Sequence, residues 1–170
     1  METHQYLTDR AQLGHQGHPL ANQNQYGKLA VMAVLSFISM YVLMYSMVDR
    51  FDNVISNVNQ FYMAGLMTMP MLIIEVMLMS SMYTNKQRNA LIITVSTLGL
   101  GGFFWLIRLQ IAVGDKEFTK SMIPHHAAAI LMAKKAKLSD PELQKLQQDI
   151  ISAQEKEIRQ MKNKLAELNK

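Results

Sequence analysis

The sequence predicts an all-α chain in which three membrane-crossing helices are followed by a small ferritin-like helical hairpin. Three observations lead there. Apolar residues make up 49% of the 170 and crowd into the first two thirds of the chain. They fall into three runs, each long enough to cross a bilayer and each closed by a short polar segment. The last third changes character, with charges of both signs interleaved with apolar residues at helical spacing.

Residues 1–27 are rich in Gln, Asn, Gly and His and hold too little apolar surface to form a core, so they read as a disordered polar tail. His4 and the Gly14-His15-Gln16-Gly17-His18 stretch offer imidazoles there, with a solvated tail as the simpler account. No cleavable signal peptide is expected, because the first apolar run begins late and is too long for a signal core. That run, Leu29 to Val48, is the first span: about 20 residues at ~1.5 Å each cover a ~30 Å hydrocarbon core. Tyr45 lies near its end, where an interfacial aromatic belongs.

A polar loop, Asp49 to Gln60, leads into a second span from Phe61 to Tyr83. Met63, Met67 and Met71 repeat at i, i+4 along it, with Met69, Met77, Met79 and Met82 around them. Packing is the ordinary use of such residues, and a thioether path for a soft ion is the alternative. Pro70 removes a backbone donor and is expected to kink the helix. Glu75 is the outlier: a carboxylate deep in a span costs roughly 2.5–3.5 kcal/mol, which makes it either a functional group or a protonated, hydrogen-bonded one. The third span, Ala90 to Ile107, ends at Arg108, which can snorkel to the interface. Thr97 and Gly101, with Gly99 and Gly102, offer small surfaces for close helix approach.

These spans form a membrane region over 28–113 and leave a hairpin over 114–170. Arg10, Lys28, Lys86 and Arg88 fall on the N-terminal side, whereas the first loop carries only Arg50 between two Asp residues. The positive-inside rule then puts the N-terminus in the cytoplasm and the hairpin outside it, as in the periplasm behind a bacterial inner membrane. Arg108, Lys116 and Lys120 argue the other way.

The hairpin's first helix is expected from Lys116 to Leu138, with Pro124 kinking it or restarting it. Ser139-Asp140-Pro141-Glu142 reads as a restart, with Ser139 and Glu142 as a capping box and Pro in the first turn. Leu143, Leu146, Ile150, Ile158, Met161, Leu165 and Leu168 give the second helix a bundle-facing stripe, with Gln154 and Glu157 in or beside it.

The chemistry concentrates at Met122-Ile123-Pro124-His125-His126, continuing to Met132. Met122 and His126 share a helix face at i, i+4, and His125 and Met132 share another at i, i+7. Neutral imidazole suits copper and zinc, and thioether sulfur selects Cu(I). With no Cys and 15 Met, any soft ligand here is methionine. A net charge of +4 with interleaved signs provides no nucleic-acid patch, and no nucleophile, base and oxyanion grouping supports catalysis.

Asp115, Phe118, Met122, Ile123, His125, His126, Ala129, Ile130, Met132 and Ala133, followed by Ile150, Ile151, Gln154, Glu157, Ile158 and Met161, resemble the family catalogued as domain of unknown function 305. The likeness covers roughly the last third of the chain. It implies a ferritin-like helical bundle, often exported, with some members described as periplasmic copper-binding proteins. Ferritin-type iron sites repeat an E-x-x-H element that is missing here, so His and Met fit copper better than iron. The reading is then a membrane-anchored copper-binding protein, with His125 and His126 as ligands, Met122 and Met132 as soft co-ligands, and Glu157 and Met161 reaching over from the second helix. Two helices alone bury little, so a homo-oligomer, most simply a dimer completing a four-helix bundle, is expected. The rival is a non-metal scaffold or sensor whose hairpin binds a partner or a second copy.

Overall fold

A computed structural model describes residues 19–170, with side chains placed from residue 24 onward. His4, His15 and His18 lie outside the described residues. The described residues form five α-helices: α1 Pro19–Leu43, α2 Val58–Leu78, α3 Lys86–Arg108, α4 Asp115–Lys135 and α5 Pro141–Leu168. A 3-10 turn at Met44–Met47 extends α1, and another at Phe51–Asn53 lies in the first loop. The all-α expectation, with three apolar helices ahead of a hairpin, holds.

Helix boundaries follow capping chemistry more closely than apolarity. The Asn57 side chain accepts from the Gln60 N–H at 2.9 Å, so α2 begins at Val58 and not at Phe61. Asn85 does the same for the Arg88 N–H at 3.0 Å and starts α3 at Lys86. Before α5 the cap is Asp140, which accepts from Leu143 N–H at 2.9 Å, one residue later than the Ser139 box expected from sequence. Pro141 decides this, since its fixed φ suits the first helical position and leaves its neighbour as the cap. At the other extreme, α1 already runs from Pro19, so the last residues of the expected tail are helical.

Three stretches, Asn24–Met47, Val58–Leu78 and Lys86–Arg108, are long and apolar enough to cross a membrane. Their outward faces carry exposed Val31, Leu35, Ile38, Leu91, Val95 and Leu98, the all-round apolarity of helices solvated by lipid. α2 is the middle member and packs on both α1 and α3. Phe61 joins all three, with its ring 5.0 Å from Phe37 and 6.3 Å from Phe103. The closest approach is at Gly65, where an added Cβ would stand 2.4 Å from the Phe103 ring, and at Gly99, where it would meet the Met69 sulfur at 2.8 Å. Gly101 and Gly102, expected to serve this role, face open space.

At one end of the spans, Tyr26 donates to Asn89 Oδ1 at 2.6 Å, and its ring stacks near Tyr83 at 5.3 Å. Leu29, Val76 and Tyr83 form a buried cluster there. Glu75 belongs to this end. It lies one turn from the last residue of α2, beside the Tyr83 phenol, so it is an end-of-helix group and not the mid-span carboxylate expected from sequence.

The hairpin docks at the opposite end. α4 and α5 pack through Ile123, Ala127, Ile130 and Ile158, all buried, with Met161 and Leu165 alongside. Each fully buried Ile is worth roughly 1.5–3 kcal/mol. Val48 and Ile55, from the first interhelical segment, pack on the same cluster. Lys162 reaches Asp52 at 2.8 Å and holds its carboxyl below the usual range. The first loop thus covers part of the apolar face that was expected to be left for a second copy.

Candidate metal centre

α4 places the chemistry. Asp115 and Glu117 in its first turn and Lys134 and Lys135 in its last complement the helix dipole. The helix runs through Pro124, which is buried. Glu117 fastens its base: the carboxylate takes Lys120 at 2.7 Å and accepts from the Val58 N–H at 3.2 Å. Those two contacts, Lys120 foremost, hold its pKa below the ordinary glutamate range. Ser121, near the same base, receives Asn59 Nδ2 at 3.3 Å. One turn of α4 is therefore pinned to the start of α2.

The two histidines then point in different directions. His126 turns toward α5, its side chain only 12% exposed. Its Nδ1 lies 2.9 Å from the Met122 carbonyl, and its Nε2 lies 2.8 Å from Glu157. Both partners are acceptors, so a ring protonated on both nitrogens donates to each, and a neutral ring to only one. His125 faces away from α5 and is exposed; its ring nitrogens make no hydrogen bond among the described residues. The two ring centroids are 6.2 Å apart.

What His125 faces is a cavity of about 600 Å³ where the hairpin meets the spans. Met122 lines it from α4, Met40 from α1, Met44 and Met47 from the turn that follows, and Met63 and Met67 from α2. Among the described residues, its lining contains no Asp, Glu, Lys or Arg. The six thioethers and one imidazole are donors suited to a soft monovalent cation, and Asn57, Asn59, Gln60 and Ser121 add neutral oxygen donors beside them. Among the described residues, no group of three or more His, Asp or Glu side chains comes together in a way that could hold a metal.

The sequence-derived residues are thus divided. His125 shares the cavity with Met122, while His126 and Glu157 form an interhelix pair. Met122 serves both, with its carbonyl on His126 and its side chain in the cavity. Met132 is 54% exposed and lies outside the cavity lining, and Met161 packs against the hairpin core. Sequence reasoning singled out Met63 and Met67 but did not connect them to His125; Met40, Met44 and Met47 went unnoticed. Two i, i+4 pairs, Met40 with Met44 and Met63 with Met67, were the available signal.

The family described as Domain of unknown function (DUF305) matches residues 74–165, which is more than half of the chain. The "Uncharacterized protein L153" of Acanthamoeba polyphaga mimivirus is 32% identical over 145 residues, covering 82% of this chain and 91% of that protein. No solved structure matches.

Proposed function

The chain belongs to the DUF305 family, and from that premise we propose that it is a membrane-anchored carrier of a soft metal ion, Cu(I), held where the helical hairpin meets its spans. The observation that carries this reading is His125, with both ring nitrogens unpartnered among the described residues, opening onto a charge-free cavity shared with Met122. Cu(I) is the ion for which neutral thioether and imidazole ligands are matched. His126, whose nitrogens face Met122 and Glu157, orients this turn and keeps its own Nε2 paired. The role is tolerance or trafficking, binding without turnover.

Anaerobic competition of the full chain in detergent against a chromogenic Cu(I) chelator tests this. The chain should bind Cu(I) more tightly than Zn(II), and His125→Ala combined with His126→Ala should abolish the tight component. An unchanged double variant would remove these residues from the site. The hairpin is proposed to lie on the side away from the cytoplasm, supported by Lys28, Lys86 and Arg88 near one end of the spans. A reporter active only outside the cytoplasm should work when fused after Lys170 and be silent at Asn85; the reverse would sink an exported role.

A second reading, an interaction module, rests on a different observation. Leu143, Leu146 and Ile150 leave an exposed apolar flank along the N-terminal half of α5, at 48%, 53% and 36% exposure. A second copy laid on that flank would complete a four-helix bundle. Replacing Leu146 and Ile150 by Asp should then halve the mass of the protein measured in detergent, and a wild-type monomer would contradict it.

A further inference from the structure

The first two spans do more than hold the hairpin at a membrane. We propose that their methionines supply ligands, so that one soft cation in the junction cavity draws its donors from Met44, Met63 and Met67 as well as from Met122 and His125. This rests on the soft-metal reading above but concerns a part of the chain that the family match does not reach, since that match begins at residue 74.

Composition of the lining is the first ground. Six of its 17 residues are Met, against 15 of 170 in the chain, so the enrichment is about fourfold and is local to this cavity. Convergence is the second. Five of the six come from α1, the turn after it and α2, which the packing of the first two spans brings side by side, and the docking of the hairpin adds Met122 from α4. Incomplete packing is the third. Met47, Met63 and Met67 are 47%, 38% and 44% exposed, so no other side chain of the protein encloses them and they are free to turn toward the cavity as well as toward lipid. Met40 is left out of the ligand set because its sulfur rests 3.6 Å from Thr68 Oγ1, a hydroxyl whose one proton goes to the Ala64 carbonyl at 2.7 Å. No donor reaches the other cavity sulfurs among the described residues.

Charge selects the ion. Desolvation cost rises steeply with ionic charge, and a lining whose oxygens, such as those of Asn57, Asn59, Gln60 and Ser121, are neutral amides and hydroxyls, with no carboxylate among the described residues, offsets less of it for a divalent ion. A monovalent, thioether-seeking ion carries the smallest such cost. The cavity volume of about 600 Å³ far exceeds a bare ion, so the side chains must close round it. Methionine, unbranched and with three rotatable bonds, is suited to that closure.

The test uses the full chain in lipid nanodiscs with Cu(I) as probe. Met44→Leu, Met63→Leu and Met67→Leu together conserve volume, so the fold should persist, and Cu(I) affinity should fall tenfold or more. Should that variant fold poorly, a second chain carries Leu at Met122, Met132 and Met161, every methionine beyond the third span, and is grown with selenomethionine. Copper X-ray absorption of it should still show selenium neighbours, which only the N-terminal part of the chain can then provide. Wild-type affinity in the first variant, or no selenium neighbour or no copper uptake in the second, overturns the proposal. If those results appear while the double histidine variant still loses copper, the hairpin holds the ion alone and the family-level reading survives. A wild-type chain that binds no Cu(I) overturns both.

Discussion

The two faces of α4 differ in what completes them. On the face toward α5, Ile123, Ala127 and Ile130 are fully enclosed, Thr119 Oγ1 donates to the Asp115 carbonyl, and both nitrogens of His126 have partners. On the face toward the spans, His125 has no hydrogen-bond partner among the described residues, and the methionines around it line space instead of filling it. A face whose polar groups are satisfied and whose apolar groups are packed has little left to offer a ligand. The unfinished face is the one with binding capacity, and adjacent residues of one sequence motif serve opposite ends.

The largest effect should come from breaking the closed face. Ile123→Asp or Ile130→Asp places an unpaired charge in the hairpin core and should cost about 3–5 kcal/mol, seen as rapid proteolysis of α4 and α5. Ala128→Ser on the cavity face should change stability by less than about 0.5 kcal/mol. Equal losses at the two positions would show that both faces are structural.

An intermediate effect is expected at the interhelix pair. Glu157 is half exposed, so Glu157→Ala should cost about 1 kcal/mol in a denaturant melt of the hairpin, and His126→Ala a similar amount. His125→Ala should cost almost nothing. A destabilising His125→Ala would mean that its ring is a packing element.

The smallest effect concerns pH. Glu117 is held below its ordinary value of 4.5 by Lys120 and the Val58 N–H, so its contribution is fully present above that value and is lost as pH falls through its folded one. Asp52 and Glu155, depressed by Lys162 and Lys134, act in the same direction. Glu117→Gln isolates one of the three. Hydrogen exchange at the α2–α4 junction should rise more in wild type than in this variant as pH drops from 6 to 3, by an amount worth about 1 kcal/mol or less. Identical pH profiles would remove Glu117 from the junction.

Much of this architecture was legible in the sequence because apolar run length and helical periodicity report on backbone and solvent directly. The three spans, the hairpin and the distinct faces of His125 and His126 followed from spacing alone. Boundaries slipped where a cap outranked hydrophobicity, as at Asn57, Asn85 and Asp140. Gly65 was missed because a lone glycine gives no small-residue pattern, although the Phe103 ring requires it. The cavity was illegible for a different reason. Met40 and Met63 are neighbours of His125 only after the hairpin folds back onto the first loop, through Val48, Ile55 and the Asp52–Lys162 pair. Long-range docking of that kind leaves no mark in local spacing.

Single-site Cu(I) competition on the full chain tests the division of the two histidines most directly. His125→Ala should weaken Cu(I) binding at least tenfold while leaving the hairpin fold intact, and His126→Ala should weaken it far less despite its greater cost in stability. The opposite order, with His126→Ala or Glu157→Gln abolishing copper binding and His125→Ala leaving it unchanged, would place the ion between α4 and α5 and rule out a site in the junction cavity.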